Sequence, residues 1–250
     1  MKHWFISDLH IKDINERNGN LLLRFLFFLN KSPKENTLYL LGDIFDLWIS
    51  NSDAFSKHYG QIVDEIQKFT NSGGKIYYFE GNHDLHIDVF WTKKMNIEVI
   101  EGIKFFQIGD LKVRCEHGDY INPDDTAYLR YRQTLQKPWV EFFAHALPGY
   151  FWKPVGEFLS SKSRKKTVSY AMTQSEKIKT MIQAYAMKVY NSESFDLIVT
   201  GHMHVFDDFT FKGHEQKSIR SINLGTWLDQ PKTLLIDSNK VSLSDIKSLL

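Results

Sequence analysis

The sequence predicts one large α/β domain, and three observations predict it. Short runs rich in β-branched and aromatic residues recur along the chain, helical patterns fill several of the gaps between them, and five of the runs end in a polar cluster. With 250 residues, 42% of them hydrophobic, the chain is long enough to bury a substantial core.

The runs fall in order. His3 to Ile6 gives way to Ser7-Asp8-Leu9-His10, Thr37 to Leu41 to Gly42-Asp43, and Lys75 to Phe79 to Glu80-Gly81-Asn82-His83-Asp84. Leu111 to Cys115 leads into Glu116-His117-Gly118-Asp119, and Asp196 to Val199 into Thr200-Gly201-His202-Met203-His204. Between the early runs, Leu22, Leu23, Leu26 and Leu29 mark one sheet-covering helix, and Phe55, Tyr59, Ile62, Ile66 and Phe69 mark another. From Phe206 the chain alternates again, through Ser218 to Leu224 and Thr233 to Ile236, predicting a closing set of antiparallel strands.

Thr126 to Tyr190 interrupts the strand series with helical patterns only. Trp139, Phe142, Phe143, Ala146 and Leu147 keep helical spacing until Pro148-Gly149, a second piece follows at Phe151, Val155, Phe158 and Leu159, and Val168 to Val189 suggests a long final helix. This stretch carries 11 Lys or Arg against three Glu, a balance of +8 in a chain of net charge +1. The division predicted is a core of residues 1–125 and 191–250 with a helical cap at 126–190.

Bulk composition excludes several classes. The 31 basic and 30 acidic residues nearly cancel, so the chain lacks the global field of a nucleic-acid coat protein and no nucleic-acid partner is expected. Cys115 is the sole cysteine, which excludes an intramolecular disulfide and a thiolate zinc site and favours a reducing, cytoplasmic setting. Met1 to His10 has no signal-peptide core, and the apolar run Leu21 to Leu29 is short and broken by Arg24.

The polar clusters supply Asp8, His10, Asp43, Asn82, His117, His202 and His204: carboxylate, amide oxygen and imidazole without sulfur, a donor set for Mn, Fe or Zn. Asp8 and His10 stand two residues apart, as do His202 and His204, so on an extended segment each pair faces one side. Asp43 can use both oxygens to bridge two ions about 3.5 to 4 Å apart, with a nucleophilic hydroxide between them. The alternatives are ordinary: a lone Asp-x-His is usually a loop feature, and a lone Gly-His-x-His a satisfied surface pair. His3, His58, His86, His145 and His214 are read as surface or packing residues, and Asp119 as a partner that orients His117 or a neighbour.

This ordered series, Asp8-x-His10, Gly42-Asp43, Gly81-Asn82-His83-Asp84, His117 and Gly201-His202-x-His204, resembles the calcineurin-like metallophosphoesterase superfamily. The resemblance implies a four-layer α/β/β/α sandwich and two divalent ions. Asp8, His10, Asp43 and His204 would hold one ion, and Asp43, Asn82, His117 and His202 the other. His83 would stand outside the metal shell as a catalytic group, stabilising phosphoryl charge or protonating the leaving oxygen.

Asp124-Asp125, Ala127-Tyr128, Pro138-Trp139, Leu147-Pro148, Ser163-Arg164 and Leu224-Gly225-Thr226-Trp227 are similar to the UDP-2,3-diacylglucosamine hydrolases of lipid A synthesis. That resemblance implies cleavage of an acylated nucleotide-sugar diphosphate to UMP and a lipid monophosphate. It further implies substrate contacts from Asn82, His83, Asp125, Tyr128, Ser163 and Arg164, and peripheral association of the cap with the cytoplasmic face of a bacterial inner membrane. One position departs from the pattern: those hydrolases carry Arg directly after the metal-binding Asn, where this chain has His83. Action on another nucleotide-lipid or on a soluble phosphoester is the alternative, and a metal-free scaffold the remote one.

Overall fold

The computed structural model describes residues 1–49, 53–146 and 173–250. Its first sheet has the order β13-β12-β1-β2-β4-β6. These strands are β1 (Lys2–Ile6), β2 (Asn36–Leu40), β4 (Lys75–Phe79), β6 (Glu98–Ile100), β12 (Lys232–Asp237) and β13 (Lys240–Asp245). β1, β2, β4 and β6 run parallel, and β12 and β13 close the sheet as an antiparallel hairpin against β1. The second sheet comprises β7 (Ile103–Ile108), β8 (Leu111–Glu116), β9 (Leu197–Thr200), β10 (Phe206–Lys212) and β11 (Ser218–Leu224), in the order β10-β11-β9-β8-β7. Two-residue strands β3 (Trp48–Ile49) and β5 (Asp84–Leu85) pair near the site.

The period of two along each strand builds the layers. Trp4, Ile6, Leu38, Leu40, Ile76 and Tyr78 face outward onto helices. Phe5, Tyr39 and Phe79 face inward, where they meet Val113, Cys115, Leu197, Val199, Ile222 and Leu224 of the second sheet. Helices α1 (Arg17–Leu29) and α3 (Gly60–Asn71) cover the first sheet with Leu22, Phe25, Leu26, Leu29, Ile62, Ile66 and Phe69. The architecture is therefore the expected four-layer sandwich.

The helix expected across Phe55 to Phe69 is two helices, α2 (Asp53–His58) and α3. The chain turns at Tyr59, whose ring packs 4.4 Å from that of Phe45 and whose hydroxyl donates to the Ile11 carbonyl at 3.0 Å. Of the remaining helices, α4 (Asp88–Trp91) is short, α5 (Thr126–Leu135) and α6 (Pro138–Ala146) fall within the expected insertion, and α7 (Ser175–Ser192) runs two residues past its end. The closing strands are also divided: β10 and β11 form a hairpin in the second sheet, whereas β12 and β13 join the first.

The stretch 126–190 is not uniform. α7 buries Ile178, Ile182, Ala186 and Tyr190, with Ala186 and Tyr190 packed on Ile198 and Ile219 of the second sheet. Burial of each large apolar side chain contributes about 1.5–3 kcal/mol, which makes α7 the fourth layer of the sandwich. On α6, by contrast, Trp139, Phe142 and Phe143 are exposed rather than packed to the body. The helical piece expected at Phe151 to Leu159, and the beginning expected for the last helix at Val168 and Met172, lie outside the described residues. Among the described residues no helix is long and apolar enough to cross a membrane.

Candidate metal centre

Parallel pairing brings the C-terminal ends of β1, β2 and β4 to one edge of the first sheet, and that of β8 and β9 to the same edge of the second. Ligands in open α/β sheets gather beyond such carboxyl ends. Backbone hydrogen bonds stitch the loops together: Asp8 N–H donates to the Gly42 carbonyl at 3.1 Å, His10 N–H to Asp43 at 3.0 Å, and Gly201 N–H to His117 at 2.8 Å. Thr226 Oγ1 and the Trp227 N–H both donate to the Asp8 carbonyl, at 2.9 and 3.1 Å, which gives the Leu224-Gly225-Thr226-Trp227 segment a structural role.

All seven expected ligands converge, in two groups. In the first, His10 Nε2 lies 3.0 Å from His204 Nε2, 4.0 Å from Asp8 Oδ1 and 3.8 Å from Asp43 Oδ2. Asp8 Oδ1 is 3.2 Å from His204 Nε2. In the second, His202 Nδ1 lies 3.1 Å from Asn82 Oδ1 and 3.3 Å from His117 Nε2, which is itself 3.7 Å from Asp43 Oδ1. The two oxygens of Asp43 thus serve different groups, the condition for a bridging carboxylate.

The donor chemistry fits cations. Asp8 Oδ2 accepts from Ser7 Oγ at 2.5 Å and the His202 N–H at 2.9 Å, while buried Oδ1 has no hydrogen-bond partner. His117 Nδ1 donates to the Leu41 carbonyl at 2.7 Å, which turns the lone pair of Nε2 inward. Lone pairs and carboxylate oxygens facing one another repel unless a cation or proton lies between them. Asp8, His10, Asp43, His202 and His204 all hold positive φ, between 48° and 67°. Each costs about 1 kcal/mol or more of backbone strain, sustained because the surrounding bonds leave the loops no alternative.

The carboxylates make the field at this centre negative, which favours a cation or a proton among these side chains. Burial opposes charge on His117, but the carboxylates of Asp43, Asp119 and Asp8 outweigh it and raise its pKa to about 9. Burial and the neighbouring His117 push His202 down to about 4. Asp8 stays below the usual carboxylate range, because His204, His117 and the Ser7 hydroxyl overcome its desolvation.

A model of the calcineurin-like phosphoesterase family matches residues 1–206, a span that contains every converging side chain. The chain belongs to the calcineurin-like phosphoesterase family. As a member it is a hydrolase. This calcineurin-like phosphoesterase is 30% identical over 229 residues to the UDP-2,3-diacylglucosamine hydrolase of Haemophilus influenzae (strain PittGG), with 91% of each chain covered. It is 26% identical over 230 residues to the UDP-2,3-diacylglucosamine hydrolase of Aliivibrio fischeri (strain MJ11), with 92% of each covered. Among solved structures, vacuolar protein sorting 29 of Cryptosporidium parvum aligns with 97% of this chain and 95% of its own, at 16% identity and a TM-score of 0.45.

The other expected site residues of this phosphoesterase are placed as follows. His83 Nδ1 donates to the Asp46 carbonyl at 2.8 Å, and its ring stands edge-on to His10 with centroids 4.9 Å apart. Tyr128 reaches the second group, its oxygen 3.5 Å from Asn82 Oδ1 and its ring 4.9 Å from that of His202. Asp125 is exposed and caps α5 by accepting from the Tyr128 N–H at 3.0 Å. Ser163 and Arg164 lie outside the described residues. Asp119 does not orient His117 through a hydrogen bond: the Leu41 carbonyl takes Nδ1, and Asp119 accepts instead from the Tyr128 hydroxyl. Of the other histidines, His58 Nε2 donates to the Lys12 carbonyl at 2.6 Å, His86 Nε2 to Leu135 at 2.9 Å, and His3 meets the Tyr39 hydroxyl at 3.0 Å.

Sequence reasoning gave no role to Asp84, to the Asp46 carbonyl that holds His83, or to Arg132 beside Asp119. The Asp84 carboxylate accepts from the N–H groups of Asp43, Ile44 and Gly81 at 2.7, 2.9 and 3.1 Å, and from the Tyr78 hydroxyl at 2.6 Å. Burial, then the charge of Asp43, lifts it to about 6. Its only signal in sequence is its place two residues after Asn82. Gly81 admits this packing, since a Cβ there would overlap the carboxylates of Asp43 and Asp84. Asp84→Ala would strand those four donors, and chemical denaturation of metal-free protein is expected to show a loss of about 3 kcal/mol or more. Unchanged stability would contradict this organising role.

Proposed function

We propose that this chain hydrolyses the diphosphate of UDP-2,3-diacylglucosamine, releasing UMP and 2,3-diacylglucosamine 1-phosphate in lipid A biosynthesis. The observation that carries the reading is α5, which lays Tyr128 across the Asn82–His117–His202 group in a chain that matches hydrolases so named over 91% of its length.

Asp8, His10, Asp43 and His204 would hold one divalent ion, and Asp43, Asn82, His117 and His202 the second, Mn being the leading choice and Fe or Zn the others. Such ions supply Lewis acidity to the diphosphate and acidify a water. The chain does the rest. Asp8 and Asp43 place two negative charges against two dications, an excess of positive charge that suits an anionic diphosphate. His83, its Nδ1 committed to the Asp46 carbonyl, presents Nε2 to developing phosphoryl charge or to the leaving oxygen. Asn82, His83 and Tyr128 contact the substrate phosphates, with Asp125, Ser163 and Arg164 as further contacts, and Asp125 also starts α5.

In this reading residues 126–190 form the cap, with α7 doubling as the outer layer of the sandwich. Its basic balance of +8 and the exposed Trp139, Phe142 and Phe143 support peripheral association with the anionic cytoplasmic face of a bacterial inner membrane. Trp139→Ser with Phe142→Ser is expected to weaken binding to phosphatidylglycerol vesicles about tenfold or more in co-sedimentation. An unchanged partition would remove α6 from the membrane contact.

His83, standing where the resembled hydrolases carry Arg, supports one other reading: another nucleotide-lipid or a soluble phosphodiester as substrate. Assays with UDP-2,3-diacylglucosamine and Mn decide between them. UMP release well above that from bis(para-nitrophenyl) phosphate is expected. Turnover of the soluble diester alone would reject the lipid substrate.

A further inference from the structure

Arg132 has no part in the centre described so far, yet it is 2% exposed and lies beside it. It follows Tyr128 by four residues on α5, so both side chains leave the same face of the helix. Its Nε is 3.4 Å from Asp119 Oδ2, but neither Nε nor Nη1 finds a hydrogen-bond partner. The other oxygen, Asp119 Oδ1, accepts the Tyr128 hydroxyl. A relay thus runs from Arg132 through Asp119 to the Tyr128 oxygen, 3.5 Å from Asn82 Oδ1.

Stability does not explain this arrangement. A buried guanidinium with unpaired N–H groups pays a desolvation cost that an apolar side chain of similar volume would avoid. α5 is moreover already fastened at both ends, by Asp125 at its start and by His86 on the Leu135 carbonyl at its finish. What Arg132 adds is control of the middle of the helix, where Tyr128 faces the centre. Without a cation beside it, the Asp119 carboxylate would be free to turn and the hydroxyl with it.

We propose that Arg132 is a positioning residue: acting through the Asp119 carboxylate, which holds the Tyr128 hydroxyl proton, it fixes the Tyr128 side chain beside Asn82, where the ring walls the half of the site that a phosphoryl group enters. The inference rests on the phosphoesterase reading of the centre and is independent of the lipid.

A double-mutant cycle in the full chain tests it, with Tyr128→Phe, Arg132→Gln and the pair assayed on UDP-2,3-diacylglucosamine and on bis(para-nitrophenyl) phosphate. Each single variant is expected to lower kcat about tenfold with metal content unchanged, and the double variant to fall no lower than either. Arg132→Lys, which keeps the buried cation, recovers part of the loss. A readout without turnover accompanies it: in metal-free protein labelled with 3-fluorotyrosine, Arg132→Gln shifts the fluorine resonance that Tyr128→Phe removes. Where Arg132→Gln fails to fold, Asp119→Asn takes its place in the cycle. Additive losses, an inert Tyr128→Phe or an unmoved resonance would overturn the proposal. Wild-type turnover of the diester without the nucleotide-lipid would sink the substrate reading alone, and the cycle is then read on the diester.

Discussion

Asp43→Ala is expected to lower turnover at least about ten-thousandfold while both sheets stay folded. The activity loss follows from geometry: Oδ2 lies in the His10 group and Oδ1 in the His117 group, so one truncation removes a candidate ligand from each and the carboxylate that, among the described residues, joins them. The fold survives because opposing effects nearly cancel. Truncation leaves the His83 N–H, now 2.9 Å from Asp43 Oδ1, without its acceptor, a loss of about 1–3 kcal/mol. It also removes a buried charge whose repulsion helps to raise Asp84, behind the larger contribution of burial. Metal analysis, turnover and the unfolding midpoint of metal-free protein together check the prediction. Retained activity in metal-stripped buffer would refute it.

His83→Ala is expected to lower kcat by about a hundredfold to ten-thousandfold and to leave metal content unchanged. The contrast with Asp43 comes from which atoms of His83 do what. Its backbone N–H supports Asp43 and its backbone carbonyl accepts from the Trp48 N–H at 2.9 Å, and both persist in the alanine variant. Only the ring is lost. In the proposed mechanism it would supply charge or a proton at Nε2 and would hold neither ion. His83→Arg separates this role further: it restores the residue of the resembled hydrolases and is expected to favour the nucleotide-lipid over the soluble diester. Equal loss of metal and activity in His83→Ala would instead make the ring a ligand.

The convergence of the candidate ligands was legible in the sequence because they sit at strand ends, where local pattern and chemistry coincide. Asp8, Asp43, Asn82, His117 and His202 each follow a strand whose period-two apolar residues mark it unaided. Other parts act through contacts that spacing does not encode. Asp84 works by collecting backbone N–H groups from the Asp43 and Gly81 loops, and nothing near it in sequence names those donors. Asp125, which the resemblance makes a substrate contact, also stands just before a helical run, where an Asp is an ordinary cap, and spacing did not show that it forms that cap. Arg132 left one trace, a charged residue on the buried face of α5 one turn after Tyr128. The division of the closing strands between two sheets depends on long-range pairing, which hairpin patterns leave open.

Crystals of the protein grown with Mn and measured at a wavelength where Mn scatters anomalously test the central claim most directly. The account predicts two anomalous peaks, one among Asp8, His10 and His204 and one among Asn82, His117 and His202, with the Asp43 carboxylate between them. A single peak, or two peaks that do not share Asp43, would contradict it.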